Sequence, residues 1–129
     1  MIAPGKIKKY FLFLAASTLF PVALLYGVSP RWFASVFLGV SELDLDIAHI
    51  FRAMMCLYLG FGLFWFFAAF SDTYRNAALL TVVLFPGGLV VGRIISYFVD
   101  GHPAPLLFVY LLFELIQAPL AFWVFRLPE

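Results

Sequence analysis

Charge is what this chain has least of. Only 12% of its 129 residues are Asp, Glu, Lys or Arg, and eight basic against seven acidic side chains leave a net charge of +1. Soluble domains carry about 25% charged residues. A near-zero balance excludes nucleic acid as a partner, since that needs a concentrated basic face. Cysteine is almost missing: Cys56 stands alone, which excludes a disulfide framework. Its place in an apolar run reads as a small buried filler, because a thiol without a base in reach is no nucleophile. There is no internal repeat, no low-complexity tract and no second domain. No nucleophile, metal or cofactor motif is present either, so no cofactor is expected.

What fills the chain is oil. Hydrophobic residues make up 65% of it and aromatic ones 20%. A soluble chain this short leaves much of itself exposed to water, so the solvent for this surface is a bilayer. A spanning helix takes about 20 apolar residues, and four stretches reach that length: 10–28, 49–70, 76–99 and 105–125. The expected fold is all-α: an integral membrane four-helix bundle, one domain over residues 1–129. The first stretch outlasts a signal-peptide core of about 7–15 residues and no A-x-A site follows it, so it reads as a span. Lys6, Lys8, Lys9, Arg75 and Arg126 fall on one side, and Arg31, Glu42, Asp44, Asp46 and Asp100 on the other. Positive charge stays inside, which predicts a cytoplasmic (inner) membrane protein with both termini in the cytoplasm. Trp32 and Trp123 sit near span ends, as interfacial aromatics do.

The connection after the first span has structure of its own. Ser29 is a good N-cap and Pro30 a good first helical residue. Trp32, Phe33, Val36, Phe37 and Val40 recur at helical spacing. A short amphipathic helix over about 30–40 is predicted, lying on the outer surface or packed across the bundle mouth as a lid. Pro21, Pro86 and Pro119 interrupt three spans. Each frees a carbonyl that neighbouring helices must satisfy, so kinks are expected.

Three ionic residues lie inside spans: Arg52, Arg93 and Glu114. Each costs about 2.5–3.5 kcal/mol near a helix centre and turns toward a partner. Arg93 lies roughly 9 Å below the outer end of the third span, and Glu114 roughly 13 Å below the start of the fourth. Helical side chains lean toward their own N-terminus, so in antiparallel neighbours these two converge into an ion pair. Arg52, with His49 one turn before it, is expected to reach Asp46, Asp100 or the same glutamate. Ser96 and Tyr97 flank Arg93, and Tyr110 and Gln117 flank Glu114. Three polar stripes therefore share one depth in the outer half. Either they form a structural network that fixes helix register, or they line a cavity for the polar head of an amphipathic molecule. Two arginines against one glutamate leave positive charge over, which suits an anionic head. Asp44, Asp46, His49, Asp100 and His102 lack a recognised ligand spacing for a metal; Asp44 or Asp46 reads as a helix cap instead. Gly60, Gly62, Gly88 and Gly92 predict close helix approach. Met54, Met55 and Phe64–Phe67 read as ordinary packing.

The segments "HIFRAMMCLYLGFGLFW", "NAALLTVVLFPGGLVVGRIISYFVDG" and "FELIQAPLAFWVF" together resemble a bacterial family of small four-span proteins described only as a domain of unknown function. The resemblance covers Ala48 to about Phe125 and rests on R-A-x-x-x-x-Y-L-G-x-G and G-G-x-x-x-G-R. It implies that Arg52, Arg93, Asp100 and Glu114 are recurrent polar positions, and it brings no activity. In architecture alone the chain is similar to the DoxX-like proteins and to the EXPERA sterol-binding and sterol-isomerising bundles. The functional expectation is binding of an amphipathic or lipid-like small molecule through Arg52, Arg93 and Glu114, with His49, Ser96, Tyr97, Tyr110 and Gln117 around them. Membrane lipid is the expected partner. The alternatives are a scaffold or accessory subunit, in a homo-oligomer or larger membrane complex, and a lipid-modifying enzyme with Glu114 and His49 as acid and base. The orientation is open to test. A fluorescent protein fused to the C-terminus is expected to glow in cells and a phosphatase fused there to be inactive; the reverse pattern refutes the assignment.

Overall fold

A computed structural model of the protein describes residues 3–128. Its long helices are α1 (Pro4–Gly27), α3 (Leu45–Ala68), α4 (Arg75–Val99) and α5 (Pro105–Phe125), with a short α2 (Pro30–Phe33) between the first two. Among the described residues there is no strand. The long helices have 24, 24, 25 and 21 residues and are apolar enough to cross a membrane. At 1.5 Å per residue each is about 30 Å or more, the thickness of a hydrocarbon core. This is the architecture of a multi-pass membrane protein. The four run alternately, so the start of α1 and the end of α5 lie at one end of the bundle, the terminal end.

The first helix begins six residues before the apolar run. Pro4 holds its first turn, where a missing amide costs nothing, and the lysines of "KIKK" are carried in the helix. Lys8, expected as a flanking charge, is buried and donates to Asn76 Oδ1 at 2.8 Å, joining the starts of α1 and α4. At the same end Arg75 closes α3: its Nε and Nη2 donate to the Ala69 carbonyl at 3.2 and 3.0 Å, while Nη1 meets Asp72 at 2.9 Å. Deeper in, Trp65 Nε1 donates to Thr81 Oγ1 at 2.8 Å, tying α3 to α4. Pro21, Pro86 and Pro119 all lie within helices that continue past them.

Packing is by pairs. The most extensive helix contacts are α1 against α3 and α4 against α5, while α1 touches α4 and α5 more lightly and α3 meets α4 over a short stretch. Two glycines make the α1–α3 contact close. A Cβ at Gly27 would collide with the Met55 side chain, and one at Gly62 would come within 2.9 Å of the Phe20 ring. Gly62 thus serves the close approach the sequence predicts. Gly60, Gly88 and Gly92 do not: a Cβ on any of them meets nothing within 4 Å. The reason is position, since α3 presses on α4 too briefly to reach that face. Cys56 also departs from expectation. It is exposed, because α3 buries one edge, through Tyr58, Gly62 and Trp65, and Cys56 lies about 160° around the helix from Tyr58.

Since Gly27 abuts Met55, α1 stops while α3 runs on for its first ten residues. The chain fills that step with α2. Ser29 accepts a hydrogen bond from the Trp32 amide at 3.4 Å, the predicted cap. The helix widens into a π-helical stretch over Ala34–Leu38 and ends at Gly39, whose φ of +72° is the left-handed conformation that terminates helices. Phe33 is fully buried, with ring centroids 4.8 Å from Tyr26 and 5.9 Å from Phe51. The segment therefore packs as a lid, while Trp32 and Val36 remain exposed on its far side. Asp44 stands at the α3 N-cap position but its carboxylate makes no cap bond; Asp46 lies in the first turn, where the helix dipole favours an anion.

The glycines separate into two kinds by this geometry. Gly27→Ala is expected to lower the detergent melting temperature, since overpacking a close contact costs about 1–3 kcal/mol. Gly92→Ala is expected to leave it unchanged or raise it, as alanine favours helix by about 1 kcal/mol. Thermal unfolding of the two variants side by side measures this, and equal losses would refute the packing description.

Candidate ligand site beneath the lid

The expected ion pair is present. Arg93 Nε donates to Glu114 Oε2 at 3.1 Å, across the interface of α4 and α5. Glu114 is 9% exposed, one of few polar residues so buried. The guanidinium carbon of Arg93 lies 5.9 Å from the centre of the Tyr110 ring, a cation–π distance, and the Tyr26 phenol stands beside the same guanidinium. Three tyrosines from three helices gather here: Tyr26 of α1 is 5.8 Å from Tyr58 of α3 and 5.9 Å from Tyr110 of α5, ring centre to ring centre.

Between these groups is a small cavity of ≈ 50 Å³, reached by Tyr26, Tyr58, Arg93, Tyr110, Glu114 and Gln117, with Trp65 and Phe85 among its apolar walls. The hydroxyls of Tyr58 and Tyr110 are buried there and have no hydrogen-bond partner in the protein. Arg93 also borders two larger openings. One is a groove of ≈ 420 Å³ between α3 and α4 under the lid, with Phe33, Phe51, Met54, Gly88, Gly92 and Ser96 on its walls. The other, of ≈ 220 Å³, is a mouth near the α4–α5 turn, bordered by Ser96, Tyr97 and Pro103. Arg93 thus borders the chamber and both openings. With Nε committed to Glu114 and the Tyr26 phenol beside the guanidinium, its terminal amino groups still keep donors for other acceptors.

Two of the three predicted polar stripes converge and one does not. Arg93, Glu114, Tyr110 and Gln117 share the chamber, and Ser96 and Tyr97 lie just beyond it. Tyr97 leans toward the turn, its hydroxyl 3.5 Å from His102 Nε2. Arg52 and His49 are exposed, and neither borders the chamber, the groove or the mouth. The expected contact of Arg52 with Asp46, Asp100 or Glu114 is not made. At 100° per residue Arg52 lies about 120° and His49 about 180° around α3 from Tyr58, the residue that does point inward. His49 is therefore no acid–base partner for Glu114. Asp100 is exposed at the end of α4. Among the described residues no three His, Cys, Asp or Glu side chains converge as metal ligands would.

Tyr26 and Tyr58 belong to the chamber without standing out among the polar residues of the sequence. A signal existed for Tyr58. Tyrosines of spanning helices gather at the interface, and Tyr58 lies thirteen residues into α3, roughly 20 Å along it. A phenol that deep needs an interior. Tyr26 carried no such signal, because the end of the first span looked like an interface until α2 covered it.

Residues 7–125 match the model of a family described as a domain of unknown function, DUF4345, and the chain belongs to that family. No curated protein and no solved structure matches the chain.

The ion pair has a measurable signature. Arg93→Leu or Glu114→Leu alone leaves one buried charge unpaired, a loss of about 3–5 kcal/mol, whereas removing both together is close to neutral. Chemical or thermal unfolding in mild detergent is expected to show the double variant more stable than either single one. Additive losses would mean the two side chains do not interact.

Proposed function

We propose that this member of the DUF4345 family binds an amphipathic or lipid-like small molecule, whose polar head enters the chamber at Arg93, Glu114, Tyr58 and Tyr110. The observation that carries this reading is the pair of orphaned phenols. A buried hydroxyl without a partner costs about 1–3 kcal/mol. A network whose sole task is to fix helix register satisfies its members, and here two hydroxyls, on residues that line one chamber with the ion pair, are left unmet by the protein. A head bearing hydrogen-bonding groups meets them, and a greasy body suits the apolar walls.

Lys6, Lys8, Lys9, Arg75 and Arg126 at the terminal end support placing that end in the cytoplasm, and with it the chamber in the outer half of an inner membrane. Arg52 and His49, exposed on the far side of α3, have no part in the site. They suit the headgroup region, where long basic side chains reach toward lipid phosphates.

Native mass spectrometry of protein extracted in mild detergent tests the reading. The wild-type protein is expected to carry a small-molecule adduct. Arg93→Gln is expected to lose about tenfold or more of its occupancy, since a charge-assisted hydrogen bond is worth about 1.5–3 kcal/mol. Tyr58→Phe is expected to reduce occupancy while keeping or raising the melting temperature, since it removes a buried unpartnered hydroxyl. A stoichiometric protein partner with no adduct would instead favour an accessory-subunit role.

A further inference from the structure

The charge and shape of the site narrow the class of ligand. Arg93 and Glu114 are in contact at 3.1 Å, so the chamber holds one cation and one anion and its net charge is zero. The second arginine, which would have tipped the balance toward anions, is exposed on the other side of α3. Any ion brought into the chamber would shed its water for a neutral environment, with a charge of its own sign within reach. Such a transfer is strongly unfavourable. What remains unsatisfied is neutral: two phenol hydroxyls, which both donate and accept.

The groove supplies the second half. Gly88, Gly92 and Ser96 repeat at intervals of four and border it together. A Cβ on either glycine meets nothing within 4 Å, so these small residues hold a channel open instead of admitting a helix. Opposite them stand Phe51 and Met54, and Phe33 of the lid borders the same space. It is a single apolar channel, and it reaches Arg93. Tyr58, 3% exposed and with its hydroxyl unpartnered, lines the chamber, which shares Tyr26, Leu89 and Arg93 with this groove.

We propose that the site takes a neutral, single-chain amphiphile with a hydroxyl or carbonyl head, its head on Tyr58, Tyr110 and the terminal amino groups of Arg93 and its tail in the groove between α3 and α4. The inference rests on the proposed lipid-binding reading and goes further, in assigning head charge, tail number and a sideways route of entry from the bilayer.

Three probes with one tail separate the possibilities: oleyl alcohol, oleyl phosphate and an oleyl trimethylammonium salt, each titrated into the full-length protein in maltoside micelles and followed by native mass spectrometry. Oleyl alcohol is expected to bind one to one, and both ionic probes about tenfold more weakly or worse. Gly92→Leu places a branched side chain in the groove at a position where a Cβ meets nothing within 4 Å. It is expected to keep the melting temperature and to lose about tenfold in affinity for the alcohol. The double change Tyr58→Phe with Tyr110→Phe is expected to weaken the alcohol while leaving the ionic probes where they were. Tighter binding of oleyl phosphate would overturn the neutral class and leave the site standing. Unchanged binding by Gly92→Leu would overturn the placement of the tail. Failure of all three probes would overturn the lipid-binding reading itself.

Discussion

The contact between Arg93 and Glu114 is the constraint from which the lidded half of the bundle follows. Neither side chain is tolerable alone in hydrocarbon, and each is rendered tolerable by the other. Holding Nε to Oε2 at 3.1 Å fixes the rotation of α4 and α5 about their own axes. Once α4 is turned that way, the residues one and five positions before Arg93 and three after it, Gly92, Gly88 and Ser96, border the gap toward α3. Once α5 is turned that way, Tyr110 comes over the guanidinium. A single electrostatic requirement thus sets the polar chamber and its apolar approach together.

The two ends of the bundle are built differently. At the terminal end, Lys8 with Asn76 and Arg75 with the Ala69 carbonyl close the helix starts and stops. Toward the middle, Trp65 is bonded to Thr81 and α1 is locked against α3 at Gly27 and Gly62. At the other end α1 is missing, having stopped a step short, and a short helix fills its place through one buried phenylalanine. Groups with few close contacts open more readily than a packed core. The lid borders the groove through Phe33 and Leu38, and Gly88 and Gly92 line the same groove. Rigidity at one end and room at the other is the arrangement expected of a site that must admit a guest.

Much of the site was legible because membranes leave little choice. A glutamate and an arginine embedded in two antiparallel neighbours at matching depth have to meet, and Tyr110 and Gln117 follow from helical spacing around Glu114. Arg52 departs from this pattern because depth alone does not place a side chain; its azimuth on α3 does. Arg52 shares a level with the other charges, but the inward edge of α3 is set by Gly62, Tyr58 and Phe51, and Arg52 is well round from it. The glycines depart for a related reason. A G-x-x-x-G spacing says that a helix face is smooth, and whether a neighbour lies on that face or keeps away is decided by the other helices.

The sequence by itself determined the solvent, the four helices, their lengths, their alternation and the meeting of two opposite charges, because each of these depends on local hydropathy or on the cost of an unpaired ion. Tertiary structure alone decided which helices pair, where α1 ends relative to α3, which glycines are crowded and which are open, and that Tyr26 and Tyr58 join the charged pair. These depend on how each rod is rotated and shifted against the others. That is a property of all the contacts at once, and no single segment encodes it.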